Sequence, residues 1–289
     1  VHPQTAPAPE PSSGPRAPSP KASPSAVAEL RELWTARGLL WAFVRTDLRQ
    51  RYVGSSIGFF WTVVNPLLEL VTYTFVFHVL LDVRFHPTGN TTHYVLYLFC
   101  GMMAWSAFAD GITRATASVT DHAHLLRKMN FPAATLPAYL VAGAVVNQGF
   151  RVLILMFGVL LLGDGASWHA ALIPFVMVLQ AMFTLGLGMF LATLNVYFRD
   201  VGHWVSAGLL IGMFVTPVFY PASAYPRQFL LLLYPNPMAQ IVGIYQSLLL
   251  NQQLPYVNSA LYAVIASVGM LLVGASVFAH NRRKFPDLV

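Results

Sequence analysis

The stretch 229-FLLLLYPNPMAQIVGIYQSLLL-250 decides the topology of this 289-residue chain. It is mostly apolar and about as long as the roughly 20 residues a membrane-crossing helix needs. Yet Pro235-Asn236-Pro237 interrupts it, and proline removes a backbone donor and clashes with the preceding turn. Read as a span, it would be the seventh and would put the cluster Arg282-Arg283-Lys284 on the outside. Read as two half-helices that enter and return on the outer side, it keeps that cluster inside. Broken backbone at membrane depth is tolerated only beside protein or a water-filled cavity. The expectation is therefore a re-entrant helical hairpin over 227–250, packed beside a pathway.

The remainder supports a bilayer protein. The chain is 56% hydrophobic and 10% charged, against roughly 25% charged in soluble domains. Six apolar stretches are expected to span: 58–81, 94–117, 134–162, 170–196, 204–221 and 256–279. Asp110 and Arg114 interrupt the second, and the third is long enough to tilt. Lysine and arginine favour the cytoplasmic side. Eleven of them (Arg31, Arg37, Arg45, Arg49, Arg51, Arg127, Lys128, Arg199, Arg282, Arg283, Lys284) fall on one side of this arrangement, and only Arg84 and Arg227 on the other. Both termini are then cytoplasmic. The fold class is all-α polytopic, with six transmembrane helices.

Before the first span, 27–55 reads as an interfacial amphipathic helix, in which Gly38 is the expected break. Val27, Leu30, Leu33, Trp34, Trp41, Val44 and Leu48 recur at three- and four-residue steps with arginines between. A simple anchor and a gating element fit that pattern equally. Residues 1–26 hold eight prolines and lack the apolar surface that would offset ordering entropy; they form a disordered cytoplasmic tail. They lack the basic-then-apolar order of a secretory signal, so the first span is expected to target the chain. The single cysteine, Cys100, lies in an apolar run and reads as a buried inert thiol.

Catalytic signatures are missing. The three lysines follow Pro20, Arg127 and Arg283, so none belongs to a phosphate loop. No H-E-x-x-H occurs, and His122-Ala123-His124 reads as a solvated pair rather than a metal site. The chain reads as a transport device without its own nucleotide site. The basic balance, +6, sits at the ends of apolar spans and does not indicate nucleic acid.

Five motifs in order, RTDLRQRYVGSSIGFFWTVVNPLLEL (45–70), LLRKMNFPAATLP (125–137), NVYFRDVGHW (195–204), TPVFYPAS (216–223) and YPNPMAQIVGIYQSLLL (234–250), resemble the membrane (permease) subunits of ABC exporters for polysaccharides and polyol phosphates. These are the O-antigen (Wzm-type) and teichoic-acid (TagG-type) permeases, and the resemblance covers residues 28–289. It implies a homodimer driven by two copies of a separate cytoplasmic ATPase, which binds the ATP and Mg; this chain carries no cofactor. It implies a lipid-pyrophosphate-linked glycan as cargo, moved across a bacterial inner membrane. A drug or small-lipid efflux permease and an ATPase-independent secondary transporter or channel are the rival readings. No internal repeat favours the latter.

The resemblance gives candidate residues their roles. Residues 120–131 become a coupling helix in a groove of the ATPase, filled by Leu125, Leu126 and Met129. Arg127 and Lys128 meet acidic groups at its rim, and Asn130 and Phe131 lead into the Pro132 turn. Arg199-Asp200 is either a local ion pair or a second ATPase contact. Arg49, Arg51 and Tyr52 are candidates for the lipid head group at the cytoplasmic gate. Phe219, Tyr220, Tyr225, Tyr234 and Tyr245 form either an aromatic belt or an outer surface on which a glycan slides. Glu69 and Arg151, charged in apolar surroundings, are expected to pair with each other or with Asp110 and Arg114.

Overall fold

The structure, a computed structural model, describes residues 25–51, 58–80, 91–128, 132–162, 165, 167–221, 228 and 233–288. Every regular element among them is helical. Two helices, α1 (Ala26–Thr35) and α2 (Arg37–Gln50), come first. Ser25 caps α1 by accepting from the Ala28 N–H at 3.2 Å. The break falls at Ala36 rather than at Gly38, and it is slight. The Ala36 N–H still reaches the Glu32 carbonyl and the Leu40 N–H the Ala36 carbonyl. Nothing lies within 4 Å of where a Gly38 side chain would begin.

The stretch expected as the first span holds a 3₁₀ turn (Gly58–Phe60), α3 (Trp61–Thr74) and a π-helical turn (Phe75–Leu80). Then come α4 (Thr91–Asp121), α5 (Ala123–Lys128) and α6 (Thr135–Leu162). α7 (Ile173–Tyr197) and α8 (Val201–Val215) follow. The chain ends with α9 (Pro237–Leu249), α10 (Val257–Asn281) and α11 (Phe285–Leu288). Among the described residues, four helical stretches are long and apolar enough to cross a membrane: Tyr94–Asp121, Thr135–Leu161, Trp168–Tyr197 and Val257–Leu288. α8 is apolar but shorter, at 15 residues.

The core sits where α4, α6, α7, α9 and α10 meet, around Met103, Ile112, Leu155, Ile173 and Ile241. α7 and α10 make the most extensive helix pair. Their backbones touch at Gly186 and Gly274: a Cβ on Gly274 would lie 1.9 Å from the Gly186 carbonyl oxygen. In lipid, where apolar burial between helices gives little drive, small residues permit this close packing. The inner sides of α1 and α2 lie on this bundle through Leu33 and Val44, α1 against α10 and α2 against α6.

Polar groups inside the bundle hold one another. The Gln148 amide donates to Gln180 Oε1 (2.9 Å) and to the Tyr245 hydroxyl (3.0 Å), and Gln180 Nε2 reaches the Ala104 carbonyl (2.8 Å). This chain links α6, α7, α9 and α4. Unsatisfied polar groups are expensive in such surroundings, so it fixes α9 to the bundle.

Candidate functional site

The α4–α5 corner is built by His122. Its Nδ1 lies 2.9 Å from the Ser118 carbonyl, and its Nε2 lies 3.2 Å from the Tyr139 hydroxyl. The corner therefore pins α4 to α6, and His122 is half-buried rather than one of a solvated pair. The helix expected over 120–131 is Ala123–Lys128, because α4 continues to Asp121. Leu125 and Leu126 are half-buried against the protein's own core: both touch the cluster of Val44, Leu136, Tyr139 and Leu140. Leu126 also touches the cluster around Phe278 and Phe285. Each leucine thus packs in part on the protein's own core and keeps part of its surface outside it. Asp121 and His124 are exposed. Met129, Asn130, Phe131 and the side chains of Arg127 and Lys128 lie outside the described residues.

The C-terminal α11 contacts both α5 and α7. Phe285 anchors it, fully buried edge-on to Phe278 at 5.1 Å. Next to it, a cavity of about 390 Å³ is lined by Thr120, Asn195, Val196, Arg199 and Leu288. Arg199 and Asp200 are both exposed in the turn between α7 and α8. Among the described residues they make no ion pair with each other, so of the two expectations for them the local pair is absent. Asp200 caps α8 through its carbonyl, which accepts from the His203 and Trp204 N–H groups at 3.0 and 3.2 Å. α5, α11 and this turn thus lie at one end of the bundle.

At the same end Arg51 is already engaged. Its guanidinium pairs with Asp47 at 3.2 Å and Asp110 at 3.0 Å. Arg114 pairs with Asp47 and approaches Asp110 at 4.0 Å. Two acids and two bases thus bind α2 to α4. Asp47 Oδ2 lies 3.0 Å from where a Cβ on Gly143 would stand, so the glycine makes room for α2 to sit against α6. Sequence reasoning missed Asp47; its available signal is the i, i+4 spacing to Arg51. Burial raises the Asp47 carboxyl above its usual range, and Arg51 offsets part of that rise. Arg49 is exposed, and Tyr52 lies outside the described residues.

Glu69 of α3 and Arg151 of α6 pair with each other through two contacts, 3.1 and 3.4 Å. The pair borders a groove of about 370 Å³ with Asn65, Thr72 and Tyr73.

At the other end α8 stops at Val215, before the expected limit of 221. The carbonyls of the segment after it are bonded from elsewhere. Tyr97 donates to the Pro217 and Tyr220 carbonyls (3.2 and 3.0 Å), Tyr94 to Phe219 (3.2 Å) and Gln246 to Pro217 (3.2 Å). The Tyr220 hydroxyl donates to the Phe214 carbonyl. Pro235-Asn236-Pro237 starts a helix rather than merely breaking one. Asn236 Oδ1 accepts from the Met238 and Ala239 N–H groups (3.0 and 3.3 Å), and its amide donates to Thr216 Oγ1 (3.0 Å). Pro237 occupies the first helical turn, where its missing donor costs nothing.

Of the aromatic candidates, Phe219 packs on Phe214 and Tyr73 with ring centroids 5.5 and 6.2 Å apart. Tyr234 is 64% exposed. It borders a groove of about 600 Å³ with Tyr256, Gln240, Asn251 and Asn258. Tyr245 is fully buried and faces Gln148, so it offers no ring face to a surface or pathway. Tyr225 lies outside the described residues.

Residues 38–250 match the family described as ABC-2 type transporter. The chain is 32% identical over 262 residues to the O-antigen export system permease protein RfbA of Myxococcus xanthus, covering 90% of this chain and 98% of that protein. It is 28% identical to an O-antigen export system permease protein RfbA of Klebsiella pneumoniae, over 87% and 95% of the two chains. It is 23% identical to the capsule polysaccharide export inner-membrane protein CtrC of Neisseria meningitidis, over 87% and 94%. With a family match over most of its length and near end-to-end similarity to these permeases, the chain belongs to the ABC-2 type transporter family.

Proposed function

We propose that this chain is the transmembrane subunit of an ATP-driven exporter that moves a lipid-linked polysaccharide from the cytoplasmic to the outer face of a bacterial inner membrane. The observation that carries the reading is the near full-length similarity to polysaccharide-export permeases. In this reading the protein is a homodimer with two cytoplasmic ATPase subunits, and both termini are cytoplasmic. Each subunit has six spans. α3 with its π-helical continuation is the first, α8 the fifth, and α9 is one limb of a re-entrant hairpin on the outer side. A start at the Asn236 cap, tied back to Thr216 just beyond α8, suits a limb rather than a span.

The coupling element is α5. Its leucines pack it on the bundle, the exposed His124 lies on the side that meets the ATPase, and Arg127 and Lys128 supply the cations for acidic groups of the partner. Arg199 and Asp200 form a second contact beyond the neighbouring cavity. Closure of the ATPase dimer on ATP pushes α5, and α4 and α6, joined at the His122 corner, carry the push as a rigid body. Tyr234 beside its groove then meets the glycan at the outer end.

The test is a pull-down of the tagged protein with mass spectrometry of its companions. A stoichiometric ATPase subunit is expected, and the triple variant H124E/R127E/K128E should lose it while remaining dimeric. A homodimer that binds no ATPase in a membrane expressing one would overturn the reading.

A further inference from the structure

The two N-terminal helices segregate charge more sharply than a solvated face requires. They contain three acids, Glu29, Glu32 and Asp47, and all three turn toward the bundle. Glu29 and Glu32 meet Arg282 at the end of α10, at 2.8 and 2.5 Å. Asp47 is held by Arg51 and Arg114. Four arginines, Arg31, Arg37, Arg45 and Arg49, are exposed. Among the described residues no carboxylate pairs with any of them. Val27, Trp34 and Trp41 share their side, and the two indoles are 71% and 47% exposed.

The placement follows from helix geometry. Positions 27, 31, 34, 38, 41, 45 and 49 recur at steps of three and four, and the hydrogen bonds through Ala36 preserve the phase across the bend. At about 100° per residue these positions form one stripe, with Arg37 at its edge, and Glu29 and Asp47 fall about half a turn away. The Arg37 guanidinium lies over the Trp34 ring, 5.6 Å from its centroid. The face therefore carries cations and indoles without an anion. On an ordinary solvated helix, charges of both signs alternate along the face.

This chemistry fits one surface. Indole rings settle at the headgroup level of a bilayer. Guanidinium groups make charge-assisted, bidentate hydrogen bonds to phosphate. A zwitterionic headgroup offsets its phosphate with its own cation, whereas an anionic one leaves the field that basic residues sense. We propose that α1 and α2 form a binding surface for anionic phospholipid of the leaflet, with Arg31, Arg37, Arg45 and Arg49 on the phosphates and Trp34 and Trp41 among the headgroups. The proposal requires nothing of the exported cargo. It gives the paired acids a purpose: Arg282, Arg51 and Arg114 keep carboxylates off the outward face.

The test uses the full chain in phosphatidylcholine bilayers containing trace spin-labelled phosphatidylglycerol or spin-labelled phosphatidylcholine. The motionally restricted lipid fraction is read by electron spin resonance. Severalfold selection of phosphatidylglycerol is expected, weakened in 0.5 M NaCl because salt screens exposed charges. The variant R31Q/R37Q/R45Q/R49Q should lose it, and R31K/R37K/R45K/R49K should retain most of it. Because these side chains are exposed, the variants should assemble normally, and the salt response tests the idea without any substitution. Equal restriction of both lipids by the unmodified protein would overturn the proposal, as would undiminished selection by the glutamine variant. Selection for an added polyprenyl pyrophosphate but none for phosphatidylglycerol would also overturn it, assigning the arginines to the cargo head group instead.

Discussion

At the scale of single residues, two kinds of site carry the structure: glycines at backbone contacts and charges that need partners. A Cβ at Gly186 would lie 2.3 Å from the Met270 carbonyl oxygen and 2.5 Å from Leu271 Cα, both backbone atoms that cannot swing aside. Gly186→Val should therefore separate α7 from α10 at a cost of about 1–3 kcal/mol or more. Thermal unfolding in detergent should show a lower Tm and reduced yield. Gly243→Ala and Gly269→Ala, with nothing within 4 Å, should leave Tm unchanged or raise it, since alanine is the better helix former. Equal losses at all three sites would argue against the close contact. The Glu69–Arg151 pair offers a double-mutant cycle. Arg151→Met and Glu69→Gln should each destabilise, and the double variant should recover, with a coupling of roughly 0.5–3 kcal/mol. Sequence reasoning gave these charges two possible sets of partners, since apolar surroundings establish that a charge needs a counterion but not which one. Arg51, a candidate for the lipid head group from its position, is also held by Asp47 and Asp110. Only the packing of α2 onto α4 and α6 shows that.

Elements show where periodicity suffices and where it stops. Long apolar runs fix helices almost alone: expected spans 94–117, 134–162 and 256–279 lie within or nearly coincide with Thr91–Asp121, Thr135–Leu162 and Val257–Asn281. The end of α8 was less legible, because distant groups bond the segment that follows it. Just beyond α8, Tyr94 and Tyr97 of α4 and Gln246 of α9 bond the carbonyls of Pro217, Phe219 and Tyr220. An apolar run gives no sign of such partners. The leucines of α5 share one side, and the run shows that the side is apolar without showing whether it faces inward or toward a partner. For the same reason Tyr245 read as surface, though its hydroxyl is buried on Gln148. Asn236 was legible only as part of a break, yet it caps α9 and reaches Thr216. Asn236→Ala should cost about 1 kcal/mol for the cap, and more if the Thr216 partner is left unpaired. Asn236→Asp keeps the cap acceptor but loses the amide donor, and it should fall between. Denaturation midpoints in detergent test the order. An alanine variant as stable as the unmodified protein would remove Asn236 from the account of why the chain turns there.

Over the whole molecule, α1 and the segment after α10 are tied together at one end of the bundle. Arg282, beyond α10, meets Glu29 and Glu32 of α1, and Phe285 packs beneath in the cluster that includes Leu33. α5, α11, α10 and α1 thus form one packed path. The tie has a defined pH dependence. Burial raises the Glu29 carboxyl above its ordinary value of 4.5, Arg282 lowers it in part, and Glu32 raises it further. A carboxyl whose folded pKa is raised favours the fold fully below its unfolded pKa, and that contribution is lost as pH rises through the folded value. Asp47, raised by burial in α2, acts with the same sign. Stability should therefore decline as pH rises from about 4.5 through the raised Glu29 value. Glu29→Gln, which removes the titration while keeping the shape, should flatten that slope in Tm measured across pH 4.5–8. Arg282→Gln should do the reverse, steepening the slope and lowering Tm at pH 8, because two neighbouring carboxylates then face each other without a cation. Its cost should be roughly 2 kcal/mol, below the 3–5 of a fully buried pair, because Arg282 and Glu32 retain access to water. A Glu29→Gln variant with the slope of the unmodified protein would show that Glu29 does not titrate over this range and would remove it from the account of the slope.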